Sequence, residues 1–139
     1  MSMKMRTRME MKQSRAMWKI RKRHVLLVVD DEPQVCRLME RQLGEYFDEI
    51  ITETNPNKVS EILGHRGVTH VLSDFNLHST ADGVHFVTGW KREFPCIERA
   101  VIFTALDLCD LEIPEEVAAV VSKDDGVEPV IDALLGFGR

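Results

Sequence analysis

Asp30 and Asp31 close one short apolar run of the chain, Asp74 closes another, and Thr104 and Lys123 close two more. Three carboxylates, a hydroxyl and an ammonium thus share one position, the carboxyl end of a strand-like segment. In an open parallel sheet those ends form a rim where ligands sit. Three carboxylates crowded there need a cation, because otherwise one or more takes up a proton. Oxygen-only ligands suit a hard ion such as Mg²⁺ (or Mn²⁺), with waters completing its six-fold geometry. Beside that ion, Thr104 and Lys123 make a cradle for a phosphoryl group. Asp74 can then act as a nucleophile, giving an aspartyl-phosphate, while metal and lysine neutralise the equatorial oxygens during transfer. Taken singly, each residue has a plain structural explanation: an Asp after a strand is commonly a cap or turn residue. What discriminates is the joint order of acid pair, acid, hydroxyl and lysine on successive strand ends.

The elements that must position these residues begin with HVLLVV (24–29), a continuous apolar run. Pro33 suits a helix first turn. Val35, Leu38, Met39 and Leu43 recur at helical spacing up to Gly44. EIITET (49–54), VTHVLSD (68–74), RAVIFTA (99–105) and VAAVVSKD (117–124) read as four more strands. NPNKVSEILG, VHFVTGWKREF and GVEPVIDALLGFGR read as helices, the first opening on an Asn55 cap and Pro56. Trp90, Phe86 and Val87 read as core and helix-face residues. Strands alternating with helices predict a parallel sheet covered on both faces, and unbroken apolar strands fit that burial.

The chain has 139 residues, which predicts one domain with room for a core. Its apolar and charged fractions, 44% and 29%, are those of an ordinary globular protein. No apolar run approaches a membrane span, and no secretory h-region follows the basic start. Three cysteines, Cys36, Cys96 and Cys109, have no CxxC spacing, so neither a disulfide framework nor a zinc site is indicated, and a cytoplasmic setting is expected. Charge divides the chain. Residues 1–24 carry nine Lys/Arg against Glu10, a balance of +8; the remainder carries nine basic and 22 acidic residues, a balance of −13. A basic, Met-rich extension (1–24) is therefore distinguished from a body (25–139).

VVDDEP, LSDFNL, VIFTA and VVSKD resemble, in that order, the four signature blocks of the response-regulator receiver domain. The resemblance runs from Val25 to about Phe137. It implies an α/β, flavodoxin-like, doubly wound five-stranded parallel sheet of order 2-1-3-4-5. It also implies that Asp74 accepts a phosphoryl group from a histidine kinase or a phosphotransfer protein. Asp31 and Asp74 would bind Mg²⁺ directly, Asp30 mainly through a metal-bound water, and Asn76 through its backbone carbonyl. Thr104 and Lys123 would hold phosphoryl oxygens. Glu32 has no general role in such sites and is assigned to the start of the helix, favourable near its N-terminus.

Four departures from the family stand out. Val120 occupies the position, three before the lysine, where many receivers carry an aromatic that rotates with the hydroxyl on activation. ALDLCDLEIPEE leaves little room for the fourth helix, and Pro114 interrupts it, so that helix is expected to be shortened or irregular. His78 stands where a proline usually follows the phosphoacceptor block, in a loop, HSTADG, long by about one residue; it reads as an exposed loop residue. Asp124 and Asp125 follow Lys123 in place of a proline, either capping the last helix or adding negative potential.

The extension, with Lys19, Arg21, Lys22 and Arg23 around Trp18, reads as a weakly ordered tail, a basic arm or a helix packing on a partner. The sequence ends just after the last helix, and the body is acidic, so specific DNA binding is not expected. The leading expectation is a stand-alone receiver that signals through contacts with a downstream protein or by phosphorelay, either alone or as a homodimer. A receiver-like interaction module that works without phosphorylation is the alternative. A Mg²⁺-dependent phosphohydrolase forming an aspartyl-phosphate is disfavoured, because SDFN lacks the DxD spacing it needs.

Overall fold

Every side chain of Val25–Val29 (β1) is buried, as a strand covered on both faces requires. The structure, a computed structural model, describes Trp18 and residues 22–77, 83–105 and 112–137. Along the chain follow α1 (Pro33–Leu43), β2 (Glu49–Glu53), a 3₁₀ turn (Pro56–Lys58), α2 (Val59–His65), β3 (His70–Asp74), α3 (Gly83–Glu93), β4 (Arg99–Thr104), β5 (Ala119–Ser122), a 3₁₀ turn (Lys123–Asp125) and α4 (Glu128–Leu135). The sheet is wholly parallel, with order β2-β1-β3-β4-β5. That is the expected order, and β1 and β3 hold the centre.

Strand alternation sorts the core into two layers. Val25, Leu27, Val29, Val71, Ala100 and Ile102 pack with α2 and α3 residues, including Val59, Leu63, Val87 and Trp90. Leu26, Val28, Leu72, Val101, Phe103 and Val121 pack with Cys36, Met39 and Leu43 of α1 and Val130, Ile131 and Leu134 of α4. Pro33 opens α1 as expected, and Asn55 caps the first 3₁₀ turn by accepting from the Asn57 N–H at 2.9 Å. Trp90 and Val87 are buried as predicted, and Phe86 stacks on Trp90 at 5.5 Å between centroids.

β5 stops earlier than the sequence suggests. Ser122 Oγ accepts from the Asp124 N–H at 3.1 Å and turns the chain into the 3₁₀ turn. Lys123 is thus the first residue beyond the strand. Asp124 and Asp125 lie in that turn, exposed, and Val127 occupies the cap position of α4, so neither acid caps the last helix. Between β4 and β5 the described residues 112–118 form no helix; Pro114 accepts from the Val117 N–H at 3.0 Å in a turn. Residues 106–111, where the rest of an irregular fourth helix would lie, and His78 fall outside the described residues. No helix among the described residues is long and apolar enough to cross a membrane.

Trp18, inside the basic extension, is held against the opposite end of the sheet from Asp74. Its ring stacks on His24 at 3.5 Å with 8° between planes, and meets Phe47 and His70 edge-on. Its Nε1 donates to the Tyr46 carbonyl at 2.6 Å. His70 beneath is 1% exposed, with Nδ1 2.8 Å from Thr69 Oγ1. Burial pushes its imidazole down to about 4 from 6.5; Glu98 pulls it back up, while His24, Arg99 and Lys22 add to the depression. A depressed imidazole favours the fold fully above about pH 6.5, and that contribution is lost as pH falls towards 4. At about 1.4 kcal/mol per unit, the loss is on the order of 3 kcal/mol. Urea unfolding at pH 7 and pH 4.5 is expected to show the wild type losing more stability than His70→Leu; parallel losses would contradict this assignment.

Candidate functional site

The rim at the carboxyl end of the sheet collects the residues singled out from sequence. Asp30, directly after β1, is 2% exposed; Asp74, the last residue of β3, is 8% exposed; Thr104, the last of β4, is buried. Lys123 reaches back from beyond β5 and places Nζ 3.3 Å from Asp30 Oδ2 and 3.5 Å from Asp74 Oδ1. Strands β1, β3 and β5 thus meet through one ammonium. Asp30 Oδ1 accepts from the Glu32 N–H at 2.9 Å, which fixes the carboxylate as the chain turns into α1. Its backbone carbonyl accepts from Cys36 Sγ at 3.5 Å.

The charges are only partly balanced. Burial raises the Asp30 carboxyl above its ordinary range; the Glu32 N–H and Lys123 pull it down, and Asp74 pushes it further up. Burial likewise raises Asp74 against the pull of Lys123 and the Asn76 N–H, with Asp31 adding to the rise. Burial alone would lower Lys123, but Asp30 and Asp74 together outweigh it and hold the ammonium above its ordinary value. Such a site calls for a further cation.

The donor set fits a hard divalent ion. One carboxylate oxygen from each of Asp30, Asp31 and Glu32 lies within 4.8 Å of the other two, and no nitrogen or sulfur ligand is among them, as oxygen-seeking cations prefer. Asp31 is exposed and open to such an ion. Glu32, placed from sequence only at the helix start, does stand before Pro33 of α1, with Gln34 Nε2 donating to its Oε2 at 3.1 Å. Its carboxylate nonetheless joins Asp30 and Asp31 as a candidate metal ligand, a role the sequence reading did not give it.

Gly83 was missed as well. Its N–H donates to the Phe75 carbonyl at 2.7 Å, so α3 starts against the backbone that carries Asp74. A Cβ there would lie 2.3 Å from the Asp74 carbonyl oxygen and 2.7 Å from the Phe75 Cα. Both neighbours are backbone and cannot swing aside. Gly83→Ala is expected to cost about 2 kcal/mol or more of stability, the scale of overpacking, and to displace Asp74 from Lys123. Urea unfolding checks the first, and an unchanged midpoint would contradict it. Val120, on β5, is partly buried and packs against the α2–α3 layer, so an aliphatic side chain fills the usual aromatic position.

No known family model matches the sequence, and no curated protein matches it. Solved structures do. The N-terminal signal receiver domain of a two-component response regulator from Bacteroides fragilis superposes with a TM-score of 0.71 at 25% identity, over 83% of this chain and 96% of that one. The chain has the receiver-domain fold. The response regulator TrrA from Thermotoga maritima, solved with Mg²⁺-BeF, matches at TM-score 0.67 and 19% identity, over 78% of this chain and 94% of that one. A Burkholderia pseudomallei response regulator with a phosphorylated aspartic acid and a calcium ion matches at 0.67 and 16%, over 80% of this chain and 66% of that one. The fold implied by the four short sequence blocks is thereby matched over 83% of the chain.

Proposed function

We propose that this receiver takes a phosphoryl group onto Asp74 and signals through protein contacts. The observation that carries the reading is Lys123, which spans Asp30 and Asp74 at 3.3 and 3.5 Å on the rim of a receiver fold. An Asp74 carboxylate oxygen attacks the donor phosphorus. The bond from phosphorus to the donor atom, the histidine nitrogen of a kinase or phosphotransfer protein, breaks, and that nitrogen leaves with the electron pair. Lys123 shifts from Asp74 to an oxygen of the arriving group, and the Thr104 hydroxyl donates to another. Asp31, Asp74 and the Asn76 carbonyl would hold Mg²⁺ directly, with Asp30 acting through water; the ion supplies charge neutralisation at the phosphoryl oxygens. Buried, charge-starved Asp30 and Asp74 support this role, as do the Mg²⁺-BeF and phosphoaspartate forms of the matched structures.

The test is incubation with Mg²⁺ and acetyl phosphate, read by intact mass, with Asp74→Asn alongside. One added phosphoryl group on the wild type and none on the variant is the expected result. No adduct, and no stable beryllofluoride complex either, would sink the reading. Val120 favours a second reading, in which the receiver presents the same surface in both states, since no aromatic at that position can rotate. Amide spectra of β4, β5 and α4 with and without beryllofluoride separate the two: shifts confined to the rim support the second.

A further inference from the structure

Phe103 precedes Thr104 and reads in sequence as one more core residue of β4. The sheet register gives it another neighbourhood. Asp74 is paired with Phe103, and Phe103 with Val121. Paired residues of parallel strands share a face, and residues two apart on a strand return to it. Asp74, Phe103 and Lys123 therefore gather on the α1–α4 side. There the Lys123 ammonium lies over the Phe103 ring, 5.6 Å from its centroid, while meeting Asp30 and Asp74. The ring is 7% exposed and belongs to the same packed layer as Val28, Val101 and Val121.

We propose that Phe103 is a positioning residue, an aromatic seat that keeps the Lys123 ammonium on the rim through phosphoryl transfer. The proposal rests on the phosphoacceptor reading for its functional part. The physical need is specific. A lysine side chain loses much rotamer freedom when held in one geometry, and in transfer it must release Asp74 Oδ1 and take up a phosphoryl oxygen. Hydrogen bonds to carboxylates are directional and have to break in that exchange. The Phe103 ring is fixed in the packed layer and exchanges no hydrogen bond in that step, so its attraction for the ammonium is present both before and after the oxygen partners change. The ring also fills the side of the ammonium away from the carboxylates with a dry surface. A leucine would fill similar space but offer no negative face.

Replacing Phe103 by phenylalanines with one, two and three ring fluorines tests this, because fluorination drains the ring's negative face while keeping its shape. Phe103→Leu and Phe103→Tyr flank the series. Two readouts are taken: the Lys123 Hε proton shift, assigned with Lys123→Arg, and the initial rate of phosphorylation by acetyl phosphate with Mg²⁺. We expect up-field Hε shifts in the wild type from the ring current, and a stepwise fall in rate to about threefold to fivefold below wild type in the trifluoro and Leu proteins. Phe103→Tyr should stay near wild type, and the melting temperature should not follow fluorine number. A purely structural role would leave the rate flat across the series, and that outcome overturns the proposal. So does an unshifted Lys123 Hε in the wild type. A shifted Hε in a wild type that takes no phosphoryl group would instead overturn the phosphoacceptor reading, and with it the positioning role, while leaving the ring contact in place.

Discussion

Asp74→Asn is expected to abolish phosphorylation and, without Mg²⁺, to make the protein more stable at neutral pH. Both effects come from the same burial. The folded state raises the Asp74 carboxyl above 3.8, chiefly by desolvation, even after Lys123 and the Asn76 N–H have pulled it down. A carboxyl raised on folding favours the fold below its unfolded value, and that contribution is lost as pH rises through the folded value. At pH 7 the ionised group is therefore a net cost. Asparagine keeps the shape and removes the charge, so a gain of about 0.5 to 2 kcal/mol is expected, the size typical of relieving a strained functional site. The gain should shrink as pH falls to the point where wild-type Asp74 is itself neutral. Divalent ion should reverse the order: Mg²⁺ stabilises the wild type by mass action and the variant much less. Urea unfolding with and without Mg²⁺, at pH 7 and pH 4, reads all of this. An Asp74→Asn protein less stable than wild type in metal-free buffer at pH 7 would show that Lys123 already satisfies the carboxylate, and that the site has no standing demand for a cation.

What the sequence disclosed was set by one-dimensional pattern. Five strand-like runs, four of them closing on an acid, hydroxyl or lysine, were enough to give the sheet, its order through the receiver resemblance, and the residues on its rim. Each of those features depends on local burial and on where a strand must stop. Apart from Glu32, whose partners are its immediate neighbours, the features missed depend on contacts between separate segments. Gly83 looks like a loop glycine until the Asp74–Phe75 backbone is placed against it. Phe103 looks like core because it is core; only the pairing with Asp74 puts its ring beneath Lys123. A signal was nevertheless present. Stepping by two from Val28, Leu72, Val101 and Val121, which share the α1–α4 layer, reaches Asp30, Asp74, Phe103 and Lys123. Trp18 gave no such hint, since its seat is assembled from His24, Phe47 and His70 in three separate segments.

Lys123→Ala is expected to separate metal binding from phosphoryl transfer, moving them in opposite directions. In the resting protein one ammonium serves two carboxylates whose side chains are 3% and 9% exposed. Removing it leaves both without their shared partner, and losing one member of a buried pair typically costs about 3 kcal/mol or more. Added Mg²⁺ should restore much of that stability, because the site it enters now carries one fewer positive charge; its affinity should rise about tenfold for a divalent ion several ångströms from the lost ammonium. Transfer should nevertheless slow by about 10² to 10³, the usual effect of deleting a preorganised group that stabilises developing negative charge, because the ion cannot occupy the Lys123 side of the phosphoryl group. Calorimetric Mg²⁺ titration and acetyl phosphate rates at saturating Mg²⁺ make the comparison. Were the lysine only a counter-ion that keeps two acids folded, saturating metal would restore the rate together with the stability. Persistence of the slow rate in a metal-stabilised variant is what assigns Lys123 to the reacting phosphoryl group itself.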